Sequence, residues 1–236
     1  MATRQVNIEK VMDQRVQILH YLRNCVTLFH GQMGTGKSTN AVAISHWMRE
    51  LFELPVIQIG TSLGLKPVYG PFSFMSEKTF IEQLILMSQI ANEIIENQIQ
   101  DTDAYLDWCR KTRGLKLYRA ILLVDEMQKF CNSRTPHNRL NLAMLGFVAQ
   151  MRHYHCTMIG MAPSPMNVDG RIREQIRWLC KPDFDPATKW YVNRLRGPQG
   201  GVRLRIYAPD YYDMFDSWAF TGFNIKSLEK VLEKDV

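Results

Sequence analysis

Apolar residues fall at positions 8, 11, 12, 16, 18, 19 and 22, which is helical spacing, so Ile8 to Leu22 is predicted as an amphipathic helix. Cys25 to Phe29 is an unbroken apolar run and reads as a buried strand. Lys37 to about Phe52 reads as a helix, and Leu54 to Ile59 as the next strand. Gly60, Gly64, Pro67, Gly70 and Pro71 punctuate the stretch Gly60 to Phe74, which reads as a long loop. Ser76 caps a helical segment that runs to about Trp108, with a break near Asp101. Its broad apolar face carries Phe80, Ile81, Leu84, Ile85, Met87, Ile90, Ile94 and Ile95.

Ala120 to Val124 are five consecutive apolar residues, as in a central parallel strand covered on both faces. Asn138 to Tyr154 follows as a helix, and Cys156 to Met161 as a strand stopped by Ala162-Pro163-Ser164-Pro165. Asp169 to Leu179 reads as a short helix. Thr188 to Leu195 and Val202 to Tyr207 flank the turn-forming Arg196-Gly197-Pro198-Gln199-Gly200-Gly201, a hairpin signal. In its second strand Val202, Leu204 and Ile206 alternate with Arg203, Arg205 and Tyr207, giving one apolar and one basic face. Asn224 to Lys234 reads as a C-terminal helix. Strands alternating with crossover helices predict an α/β protein with a parallel sheet flanked by helices and a C-terminal β-hairpin appendage. The expected division is an N-terminal helix (1–23), a core (24–184), and a hairpin and tail packed on that core (185–236).

Two motifs give this sheet a chemistry. Gly31-Gln32-Met33-Gly34-Thr35-Gly36-Lys37-Ser38 is G-x-x-x-x-G-K-S, placed between a strand and a helix. In that context it is the P-loop of nucleoside triphosphatases. Backbone amides of Gly31 to Thr39 converge on phosphates at a helix N-terminus. Lys37 adds a positive charge, and the Ser38 hydroxyl is a ligand for Mg²⁺. The second motif is Asp125-Glu126, at the carboxyl end of the 120–124 strand, where ligands sit in open α/β sheets. Asp125 is placed to hold Mg²⁺, and Glu126 to orient or deprotonate an attacking water. ATP and Mg²⁺ are the expected cofactors.

Composition adds a partner and removes several classes. At 236 residues the chain suits one α/β domain with a small appendage, and 46% hydrophobic content is that of a packed globule. A net charge of +6 favours a polyanionic partner. The basic residues cluster at Arg110, Lys111, Arg113, Lys116 and Arg119; at Arg171, Arg173, Arg177 and Lys181; and at Lys189, Arg194, Arg196, Arg203 and Arg205. The first and third groups are candidate DNA contacts. Five widely spaced cysteines with no C-x-x-C pair point to reduced thiols. His153 and His155 are two apart, but the adjacent Cys156 lies in an apolar run and reads as a core residue, so no metal site is expected there. There is no signal peptide, and no apolar run approaches the ~20 residues that span a bilayer, so a soluble protein is expected.

The segment beyond the acids narrows the family. Leu123-Val124-Asp125-Glu126-Met127-Gln128-Lys129-Phe130, Arg152-His153, Asn167-Val168-Asp169 and Ile172-Arg173-Glu174 follow one another at characteristic spacing. Tyr212-Asp213-Met214-Phe215-Asp216 is a weaker closing element. This set resembles the Zot-like branch of the FtsK–HerA superfamily, over about residues 24 to 220. The resemblance implies a RecA/FtsK–HerA-like fold and a viral or mobile-element ATPase. It implies a ring oligomer, commonly a hexamer, with nucleotide at the subunit interfaces and an arginine finger from the neighbour. Arg152, Arg171 and Arg173 are the candidates for that finger. It also implies work in the cytoplasm of a host cell, with possible virion association, on DNA, a capsid protein or a membrane-associated virion protein.

One departure stands out. The family's strand-end Gln, which senses the γ-phosphate, falls at Pro163, so Ser164 or Asn167 takes over or turnover is slow. Filamentous-phage relatives carry a membrane-spanning helix after the ATPase domain, and this chain shows none. The leading expectation is therefore an ATP-driven motor that packages genomic DNA. A virion-extrusion ATPase and a nucleotide-gated scaffold with little turnover remain the alternatives.

Overall fold

The computed structural model describes residues 8–60, 72–198 and 200–211, with side chains from residue 14 onward. The expected C-terminal helix, the Tyr212–Asp216 element and most of the 60–74 loop lie outside the described residues. Helix α1 (Ile8–Leu22) leads into β1 (Val26–His30), α2 (Lys37–Phe52) and β2 (Val56–Ile59). Next come β3 (Phe72–Met75), α3 (Glu77–Glu96), α4 (Thr102–Thr112) and β4 (Ile121–Val124). The chain continues through α5 (Arg139–Gln150), β5 (Thr157–Ala162), α6 (Gly170–Gln175), β6 (Ile176–Asp185), β7 (Trp190–Gly197) and β8 (Gly200–Tyr207).

The strands form one sheet in the order β3-β2-β4-β5-β1-β6-β7-β8. The first six are mutually parallel, and β7 and β8 continue the sheet antiparallel. Alternation along each strand assigns the two faces. In β4, Leu122 and Val124 join a core roofed by α3, α4 and α5. Ile121 and Leu123 join the opposite core, under α1 and α2. Both faces of the central strands are therefore dry, which is why their sequences are continuously apolar.

The predicted helix boundaries rest on side-chain caps. Ser76 accepts from the Thr79 amide and starts α3. Asp101 accepts from the Ala104 amide and starts α4, which produces the expected break. Two expectations are corrected. The stretch read as loop to Phe74 contains the edge strand β3, four residues with no regular in-and-out alternation, since Ser73 and Phe74 are both exposed. The helix read as far as Leu179 ends at Gln175, and β6 begins at Ile176. In β6, Trp178, Cys180 and Pro182 are buried while Arg177, Lys181 and Asp183 are exposed, a period of two. Pro182 is tolerated because β1 pairs with β6 only as far as Cys180, so no partner on that side needs the missing amide.

Strand β6 makes the hairpin part of the main sheet, since β7 pairs with it from Leu179↔Arg196 to Asp185↔Trp190. Among the described residues no helix is long and apolar enough to cross a membrane.

Candidate functional site

The P-loop leaves β1 at the carboxyl edge of the sheet. Gly31, Gly34 and Gly36 have φ of 143°, 80° and 81°, values that L side chains rarely adopt. A Cβ on Gly34 would meet nothing within 4 Å, so the loop is open at that residue. A Cβ on Gly36 would lie 2.2 Å from the Tyr191 ring, so glycine there is demanded twice, by backbone and by contact. The Lys37 amine donates to the carbonyls of Gly31 and Gln32, at 2.9 Å each. Burial lowers its pKa, and the charge of Asp125 works against that shift. This arrangement fits a polyphosphate: an open cradle, positive φ at the turn, and a lysine already folded over it.

A buried polar relay stands behind the loop. Asn40 Nδ2 donates to the Gly36 carbonyl at 2.7 Å. Asn193 Nδ2, from β7, donates to Asn40 Oδ1 at 2.6 Å, and the Cys180 thiol donates to Asn193 Oδ1 at 3.5 Å. Asn40 and Asn193 are both fully buried. Sequence reading missed this pair, whose only signal is an asparagine on each of two otherwise buried faces.

The acids emerge from β4, two strands from β1, with β5 between them. Asp125 is 8% exposed, and burial, with the neighbouring Glu126 charge, raises its pKa to about 6. Glu126 adopts φ 49° and forms an ion pair with Lys129. The short turn that follows is pinned by Phe130, whose ring meets Phe80 of α3 edge-on at 5.6 Å. Lys37 and Asp125 each appear in the other's electrostatic surroundings, so the fold brings the two motifs together.

At the end of β5, the Pro163 carbonyl accepts from the Gly31 amide at 3.2 Å. Ser164 Oγ accepts from the Met166 amide. A main-chain group thus meets the P-loop where the family resemblance places a glutamine side chain.

The arginines separate by environment. Arg171 donates to both Asp169 oxygens and to the Pro136 carbonyl, at 3.2, 2.9 and 2.5 Å, and so staples α6 to the 131–137 segment. Arg173 is partly exposed, and its guanidinium donates to the sulfur of the exposed Met166 at 3.3 Å. Arg152 is exposed beyond the end of α5. In the 110–119 cluster, Arg113 binds Glu93, and Arg119 pairs with Asp103 and Asp107. Two of that cluster's five cations are thus paired with acids of α3 and α4. His30, unremarked in the sequence, ends β1 beside a cavity of about 480 Å³ lined also by Lys181, Arg194 and Arg196. Burial lowers its pKa, helped by Lys181, Arg196 and Lys37.

Comparison with known proteins gives the family and the fold. A family model described as zonular occludens toxin (Zot) matches residues 25–181. The N-terminal domain of zonular occludens toxin from Neisseria meningitidis is similar in structure, with a TM-score of 0.50 at 14% identity, covering 81% of this chain and 98% of that one. The pCW3 conjugation coupling protein TcpA, solved with ATPγS, gives 0.53 at 13% identity over 80% of this chain and 62% of its own. EccC (ATPases 2 and 3) of Thermomonospora curvata gives 0.51 at 17% identity over 85% of this chain and 41% of its own. The chain therefore spans less than two thirds of TcpA and of EccC. At these identities the likeness is one of fold, that of P-loop nucleoside triphosphatases of the FtsK–HerA type. No curated protein matches the sequence.

Proposed function

This chain belongs to the zonular occludens toxin (Zot) family, and from that premise we propose that it is an ATPase of virion morphogenesis that moves genomic DNA. The observation that carries the reading is the shared carboxyl edge, which holds the Lys37 cradle and the Asp125-Glu126 pair within electrostatic reach of each other.

Bound ATP supplies the reacting phosphoanhydride; a bound Mg²⁺ would supply positive charge against the phosphates. The amides of residues 31–39 orient the phosphates, and Lys37 exchanges its two loop carbonyls for phosphate oxygens. Ser38 Oγ and Asp125 are the residues that would hold the metal. The Glu126 carboxylate, released from Lys129, positions the attacking water and takes its proton. Arg173, or the more remote Arg152, reaches from a neighbouring subunit of a ring, the hexamer being the expected form. Arg171 is already committed within its own subunit. Such a finger is worth about 10³ to 10⁵ in rate in related chemistry. Hydrolysis in the host cytoplasm then drives the DNA.

The test is ATP turnover with and without DNA. Wild type is active and stimulated, and Glu126→Gln is inactive with nucleotide binding retained. Normal turnover by Glu126→Gln removes the catalytic assignment. Turnover indifferent to DNA directs the reading to an extrusion ATPase acting on a virion protein. Pro163 supports a second reading, a nucleotide-gated scaffold, because its carbonyl has no proton to offer the γ-phosphate. Tight ATP binding with negligible hydrolysis selects it.

A further inference from the structure

We propose that the open face of β6, β7 and β8 binds single-stranded nucleic acid. This rests on the DNA-handling reading above and says where the strand lies. The register builds the site row by row. Lys181 stands opposite Arg194, which stands opposite Arg203. In the next rows Arg196 faces Leu179 and Gly201, and Arg205 faces Val192. All five cations are exposed, while Tyr191, Asn193, Leu195, Leu204 and Ile206 on the other face are buried against α2 and its neighbours.

Strands lie about 4.8 Å apart and same-face residues about 6.8 Å apart, so the cations form a lattice about 10 Å wide. Its inner end is the His30 cavity. Its outer end is an aromatic pair, Trp190 and Tyr207, with ring centroids 5.2 Å apart on the same face. A row of cations that ends in an aromatic platform is the arrangement that tracks a phosphodiester backbone and stacks an unpaired base.

The cations have little else to do. Like charges directly opposite on adjacent strands are unfavourable, so the Lys181–Arg194–Arg203 row works against the sheet. The one ion pair recorded on this face among the described residues is Arg194 with Asp183, at 3.6 Å and largely exposed. Asp185, farther out, is engaged by Thr188 and the Ala187 amide. A polyanion resolves the repulsion. Neither a mononucleotide nor an acidic protein surface accounts as well for a lattice that ends in an aromatic pair, its two rings tilted 48° to each other.

The experiment measures binding of an end-labelled 30-nucleotide single strand, and of a duplex of the same length, across a salt series. The wild type binds the single strand more tightly. Lys181→Gln/Arg194→Gln/Arg203→Gln loses about tenfold or more at low salt, and its log–log salt slope flattens by about 2, at roughly 0.7 per lost contact. Trp190→Ala weakens the single strand and spares the duplex. Lys78→Gln on α3, an exposed cation outside the basic groups, changes neither. The triple variant melts no lower than wild type, because a repulsive row has been removed.

A triple variant that binds the single strand with wild-type affinity and slope overturns the site, as does a Trp190→Ala protein with unaltered single-strand affinity. A lower melting point for the triple variant marks the cations as structural and also overturns it. Wild type that binds duplex but not single strand overturns this inference and leaves the DNA-handling reading standing. Wild type that binds neither, including a protein retained only by an acidic polypeptide, removes both.

Discussion

Asn193 on β7 donates a 2.6 Å hydrogen bond to Asn40 in the P-loop helix, across 153 residues of sequence and with both side chains out of water. Asn40 passes the connection to the Gly36 carbonyl, so the hairpin holds the phosphate loop from behind.

Replacing Asn193 with Leu leaves Asn40 Oδ1 buried without its donor. Such an orphaned group costs about 1–3 kcal/mol. Urea unfolding should show a loss in that range. Combining it with Asn40→Leu should cost less than the two single losses added, by at least about 0.5 kcal/mol. Additive losses would mean that the pair is not coupled.

Gly36→Ala should abolish nucleotide binding. Its Cβ meets the Tyr191 ring at 2.2 Å, and its φ is 81°. Strain of both kinds costs about 2 kcal/mol or more. Adding Tyr191→Ala clears the space but leaves the backbone penalty, so affinity for a fluorescent ATP analogue should stay low in the double variant.

Asp125 gives a pH dependence in metal-free, nucleotide-free protein. Its pKa is about 6 when folded against 3.8 as an ordinary carboxyl. Between those values the folded state holds the extra proton. Stability therefore falls as pH rises through that window and levels off above it, by an amount on the order of 2 kcal/mol. Asp125→Asn should flatten this part of the profile and raise the melting point at about pH 7.5. A wild-type profile with no fall between those pH values would refute it.

Lys129→Ala should raise basal ATP turnover about threefold, a barrier change of ~0.6 kcal/mol, by freeing the Glu126 carboxylate. The pair is about half exposed, so unfolding free energy should move by less than about 1 kcal/mol. Turnover unchanged or lower would show that Lys129 does not restrain Glu126.

The parts of this protein legible in its sequence are those written locally. The P-loop glycines, the apolar run before Asp125, and the caps at Ser76 and Asp101 each carry their signal within a few residues. Strand β3 was hidden because it is only four residues long, follows Gly70-Pro71 directly, and its exposed Phe74 breaks the alternation. Strand β6 did alternate, but it follows directly on the helix capped by Asp169, and Pro182 disguised it. The Asn40–Asn193 bond and the cation rows were out of reach for a different reason. Both depend on which residues β6, β7 and β8 place side by side, and register is a property of the assembled sheet.

The insertion of β5 between β1 and β4 carries a last consequence. It parts the strand that leads into the P-loop from the strand that carries the acids by two strand widths, about 9.6 Å. On neighbouring strands, opposite charges of this kind would close on each other and leave nothing to recruit. Held apart, each settles for a lesser companion, the loop's own carbonyls on one side and Lys129 on the other. Attraction across the gap goes unquenched, and a hydrated cation with its triphosphate is the size of guest that completes the circuit.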